Sequence, residues 1–100
     1  MTEELRSILE AHRIARHATS TATRAYENSA EADPNAEAKI DGLLADELRA
    51  ELAVLSFPAV EPGDSRAKAK WIALSFIDPR DFTNHHMNAL MIGWRDTALT

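Results

Sequence analysis

A chain of 100 residues, 45% of them apolar, has the length of one domain and the composition of a folded one. Its formal net charge of −5 opposes nucleic acid and anionic membranes in bulk. With no cysteine, disulfides, thiolate metal centres and cysteine nucleophiles are excluded.

The low count of three glycines and four prolines favours helix over strand. The start Met1-Thr2-Glu3-Glu4 is acidic and no apolar run follows, so no signal peptide is expected. Thr2 reads as an N-cap. From Leu5 a seam runs through Ile8, His12, Ala15, Thr19, Ala22, Tyr26 and Ser29 in alternating steps of three and four. That spacing predicts a long helix, and its small and polar members require a closely packed partner. Asp33-Pro34 is the strongest punctuation: a cap followed by a proline suited to the first helical position. It predicts a tight turn near Ala32 to Asn35 and an antiparallel second helix from about Pro34 to Ser56. Ile40, Leu43, Leu44, Leu48, Leu52 and Leu55 form that helix's apolar stripe.

Phe57-Pro58 ends the second helix. Ala59 to Asp64 reads as a loop, with Asp64 or Ser65 capping a third helix whose body is Ala67 to Ile77. A strand over Trp71 to Ile77 is the competing reading, but the preceding Arg66 to Lys70 favours helix. Asp78-Pro79 repeats the cap-plus-proline device. It opens a last helix to about Ala98, with Met87, Leu90, Met91, Trp94 and Ala98 as its apolar face. The expected architecture is all-α: a long antiparallel helical hairpin (about 3–57) followed by one or two shorter helices (about 64–98), within a single domain of residues 1–100.

Charge is segregated along the chain. Arg6, Arg13, Arg16 and Arg24 stand against Glu10 in the first helix, and eight acidic residues stand against Lys39 and Arg49 between positions 31 and 61. Basic and acidic helices side by side set register more than they add stability.

Catalytic patterns are absent. His12 and His17 point about 140° apart on a helix at 100° per residue, and His85 and His86 diverge. Asp81 and His85 are one helical turn apart, which does not make a metal site. Neither Glu-x-x-His nor His-Glu-x-x-His occurs. His12 is read as a seam residue and the other histidines as surface or interface residues. Ser20, Ser56, Ser65 and Ser75 lie on no nucleophile elbow. Glu47 and Glu51 lie one turn apart on an exposed-looking strip. No catalytic residue, cofactor or metal is expected. Arg66, Lys68 and Lys70 with the arginines of the first helix are the argument for nucleic acid, but the acidic second helix offsets them.

The segment Ile8-Leu-Glu-Ala-His-Arg-Ile-Ala, continuing through Tyr26, the Asp-Pro turn and Glu47-Leu-Arg-Ala-Glu-Leu-Ala, resembles a loose group of short helical-hairpin proteins. These are typical of alphaproteobacterial genomes, often in phage-like or mobile regions. The resemblance covers about the first two thirds of the chain and implies a bacterial cytoplasmic accessory protein; no functional residue carries over. The sequence therefore points to a non-enzymatic helical interaction or assembly module, self-associating as a dimer or larger and binding a further protein. A small nucleic-acid-associated regulator is the alternative. Trp71, Phe76, Met87, Met91 and Trp94 are the candidate interface residues, because aromatic and methionine side chains are enriched at such surfaces.

Overall fold

The computed structural model describes residues 1–29 and 33–95. Among them are four helices, α1 (Glu3–Glu27), α2 (Pro34–Ser56), α3 (Pro62–Ser75) and α4 (Asn84–Arg95), a 3-10 turn at Pro79–Asp81, and no strand. The competing strand at Trp71 is thereby settled as helix through Ser75.

The seam of α1 is the one read from its spacing as far as Tyr26; α1 ends at Glu27, and Ser29 lies beyond it, exposed. Leu5, His12 and Thr19 are buried, with Ile8, Ala15, Ala22 and Tyr26 half-buried between them. Opposite it on α2, burial deepens toward the C-terminus, from half-buried Ile40, Leu43, Leu48 and Leu52 to fully buried Leu55; Leu44 of the expected stripe is instead exposed, and Val54, outside it, is fully buried. The hairpin register shows in its polar cross-links. The Tyr26 hydroxyl donates to Glu37 Oε1 at 2.5 Å, and the Thr19 hydroxyl, already donating to Ala15 O, lies 3.3 Å from Leu43 O. Arg16 approaches Glu47 at 4.0 Å, and His12 approaches Glu51. Each advance along α1 is matched to within one residue by a retreat along α2, as antiparallel helices require. Asp33 is the N-cap of α2, its carboxylate accepting from the Asn35 N–H at 2.9 Å.

Four boundaries differ from the sequence reading, the simplest being that α3 ends at Ser75, with Phe76 as its C-cap, and not at Ile77. Thr2 is the N-cap of α1 by position, but its side chain makes no cap bond; its hydroxyl donates to Asp64 instead. The third helix begins at Pro62, not after Asp64, because Glu61 is extended and Pro62 takes the first helical position. Asp64 is then the third helical residue, and its carboxylate reaches back to the Glu61 N–H at 3.0 Å, as the acidic member of a capping box does. The last helix does not start at Pro79. That proline nucleates only the 3-10 turn, and Phe82 and Thr83 break the chain before α4. The expected end near Ala98 lies outside the described residues.

The C-terminal helices lock the open end of the hairpin. α2 carries no basic residue in its last turn, so its terminal carbonyls have no local cation. Lys68, buried on α3, supplies one: its Nζ donates to Leu55 O at 3.0 Å and Phe57 O at 2.7 Å. Burial pulls the Lys68 pKa down, and the neighbouring Asp64 charge partly restores it. Lys68→Met keeps most of the stem but strands both carbonyls. We expect it to cost about 1–3 kcal/mol in urea denaturation; a change within a few tenths would show that the ammonium does not cap α2. α4 packs across the same end through Ala89, His86 and Gly93, all buried.

Candidate functional site

The chemistry-bearing side chains that converge come from three helices. Glu51, on the buried-going half of α2, has its carboxylate between two imidazoles. His86 Nε2 of α4 lies 2.9 Å from Oε1, and His12 Nε2 of α1 lies 3.8 Å from Oε2. Both rings are nearly sealed, 4% exposed for His12 and 3% for His86. The reading of His86 as a surface or interface residue is corrected, as is that of Glu47 and Glu51 as an exposed strip. Each glutamate side chain is only 17% exposed, because α1 and α4 cover that face of α2. His17 and His85 are exposed.

Local structure fixes both rings. Thr83 stands at the N-cap position of α4, its carbonyl accepting from the Met87 N–H at 3.0 Å. His86 occupies the place of the glutamate in a capping box, its Nδ1 accepting from the Thr83 N–H at 2.9 Å. On α1, His12 Nδ1 accepts from the Trp71 indole N–H at 3.0 Å. Indole and backbone N–H groups only donate, so each ring carries its hydrogen on Nε2. For His86 that hydrogen goes to Glu51. For His12 it has no acceptor: 3.8 Å is beyond hydrogen-bond range, and Nε2 is a buried polar atom without a partner. Burial pushes the Glu51 carboxyl up, but the two imidazoles outweigh it and hold the group below its ordinary value.

An aromatic chain backs the junction. His12 meets Trp71 edge-on with ring centres 5.0 Å apart, Trp71 meets Phe76 at 5.6 Å, and Phe76 meets both Phe82 and His86 at 5.1 and 4.9 Å. Such contacts add about 0.5–1.5 kcal/mol each beyond burial, and here they also hold the two imidazoles in place. In front lies a groove of about 290 Å3 lined by Arg16, Leu44, Glu47, Leu48, Glu51, Ser75, Phe76 and Asp81.

Of the five candidate interface residues, Trp71 and Phe76 are half-buried in this aromatic chain. Met87, Met91 and Trp94 are 47%, 63% and 77% exposed along one outward stripe of α4. Sequence reasoning weighed the histidines only against neighbours on their own helices and so missed the junction. Folding the chain back at Asp33-Pro34 brings position 51 near position 16, one helical turn from His12, so the punctuation alone only approximates the observed pairing of His12 with Glu51.

The fold and site define a four-helix all-α protein with a charged junction buried where its hairpin meets its C-terminal helices. No family model, curated protein or solved structure matches the chain. No helix among the described residues is long and apolar enough to cross a membrane.

Proposed function

We propose that this protein is a non-enzymatic helical assembly module, cytoplasmic in setting, that works by self-association through the outward face of α4. The observation that carries this reading is the division of α4 into two faces. His86, Ala89 and Gly93 turn inward against the hairpin, while Met87, Met91 and Trp94 present an exposed apolar stripe. Leu90, Met91, Ile92 and Trp94 line an adjoining hollow of about 610 Å3. Flexible methionines and an exposed tryptophan are side chains favoured where a helix meets a partner.

A second copy of the chain is the occupant that the charge pattern favours. The whole chain carries −5, so two copies repel unless they meet where charge is absent. From Asn84 to Trp94 there is no Asp, Glu, Lys or Arg. The same stripe on two copies can pair about a two-fold axis. Elongation adds to the case. The Cα radius of gyration is 15.5 Å, against about 13 Å for a compact chain of this length, so much apolar surface lies near solvent.

Light scattering behind a sizing column tests this. The protein should elute with twice its chain mass of 11.1 kDa at micromolar concentration. Trp94→Glu, which puts a charge on each copy at the stripe, should return it to the monomer with unchanged helicity. A wild-type mass near that of one chain at every concentration would refute the reading.

A further inference from the structure

We infer that His12, Glu47 and Glu51 form a binding site for a divalent transition-metal ion of the zinc class. Each residue offers one ligand atom, and the three atoms lie within 4.8 Å of one another. Two carboxylates one turn apart are common on helices and alone would carry nothing. The buried imidazole aimed at them is the further observation. His12 Nε2 has no hydrogen-bond partner, and its nearest carboxylate oxygen stands 3.8 Å away. That gap is too long for a hydrogen bond. It is close to the separation of about 3.3 Å between ligand atoms that share a tetrahedral zinc with bonds near 2.0 Å. One imidazole and two carboxylates also suit this metal class and balance its double charge.

The surroundings are those of a supported site. His86 donates from Nε2 to Glu51 Oε1. That bond fixes the Glu51 carboxylate with its other oxygen toward His12, the task of an outer-shell partner. The groove that Glu47 and Glu51 share with Ser75 and Asp81 gives water access to a fourth position. Two groups oppose the ion. Arg16, 4.0 Å from Glu47, is a competing cation. Trp71 donates to His12 Nδ1, which places the hydrogen on the nitrogen the metal needs. Binding therefore moves that hydrogen to Nδ1, and Trp71 loses its acceptor. The Nδ1 hydrogen then faces the Trp71 N–H donor to donor, and leaving a buried donor unmet weakens affinity by about five- to 150-fold, so the Trp71 ring must turn aside as the ion binds.

That displacement supplies the readout. The chain has two tryptophans, so Trp94→Phe leaves Trp71 as the reporter. Zinc sulfate titrated into this full-length variant at neutral pH should bind as one ion per chain with micromolar or tighter affinity by calorimetry. Trp71 emission should change along the same isotherm. Glu47→Gln should weaken binding by about tenfold or more, the scale seen on loss of ligand support. Arg16→Gln should strengthen it by about two- to fivefold, since a partly exposed ion pair contributes little. His12→Gln should abolish the Trp71 response; if that variant does not fold, Glu47→Gln and Arg16→Gln decide by their opposite signs, with circular dichroism as the fold control. Affinity weaker than millimolar would overturn the site. So would tight binding unchanged by Glu47→Gln, which would assign the ion to exposed His17 or His85.

Discussion

Gly93→Ala should destabilise the protein by about 2 kcal/mol or more, although helix propensity alone says it should stabilise. Replacing a glycine inside a helix by alanine ordinarily gains about 1 kcal/mol. At position 93 the added methyl would stand 2.3 Å from the Leu55 carbonyl oxygen, 3.0 Å from the Ser56 carbonyl carbon and 3.1 Å from Lys68 Nζ. The first two are backbone of the last turn of α2 and cannot rotate aside. α4 must back away, loosening the Lys68 cap and the His86–Glu51 bond together. Overpacking of a fitted interior costs about 1–3 kcal/mol, and more where backbone is the obstacle. Gly42→Ala is the internal control, because nothing lies within 4 Å of a methyl there. It should raise the urea midpoint while Gly93→Ala lowers it. Two shifts of the same upward sign would mean that α4 does not approach the end of α2.

Legibility in the sequence followed the range of the interaction. The α1 seam, the span of α2 and the Asp33 cap were readable, because heptad spacing and cap-plus-proline signals are local. Boundaries failed where a side chain expected to act locally is used at long range. Asp64 was read as the start of α3, yet it serves Thr2 across the molecule as well as Glu61 beside it. The second Asp-Pro signal was overridden by the packing of Phe82 against Phe76 and His86, which sets where α4 can begin.

The junction was illegible for a related reason. His12 looked like one more polar seam position, and Glu51 like one of many acids on an acidic helix. Only the antiparallel register and the entry of α4 bring them to one place. The expected charge pairing between the first two helices is correspondingly sparse. Arg13 and Arg49 pair with Glu10 and Asp46 on their own helices, at 2.5 and 2.6 Å. Of the two acids that α2 turns inward, Glu51 is met by histidines and Glu47 only by Arg16 at 4.0 Å.

Asp64→Asn should cost about 3 kcal/mol or more and blunt the loss of stability in acid. The carboxylate is fully buried. It accepts from the Thr2 N–H at 2.7 Å, from the Thr2 hydroxyl, and from the Val60 and Glu61 N–H groups at 3.0 Å each. It thus joins the start of α1 to the start of α3, a link with no apolar substitute in the packing. Hydrogen bonds to an ionised acceptor are worth about 1.5–3 kcal/mol each, and removing the acceptor leaves its donors buried and unmet. Burial alone would raise the Asp64 carboxyl, but the Thr2 hydroxyl and the three backbone donors together drive it far below its ordinary value. A group depressed on folding contributes stability that is fully present above its unfolded value near 4. That contribution drains away as pH falls below 4 toward the folded value. Wild-type stability should therefore decline steadily from about pH 4 downward. Asp64→Asn should start lower at pH 7 and decline less steeply, because the depressed carboxyls left among the described residues are Glu51, half-buried, and Glu10 and Asp78 in exposed pairs that contribute little. Urea midpoints for both proteins between pH 2 and pH 7 measure the two slopes. Parallel acid limbs would show that Asp64 is not charged in the folded state, and the four donors around it would then need another account.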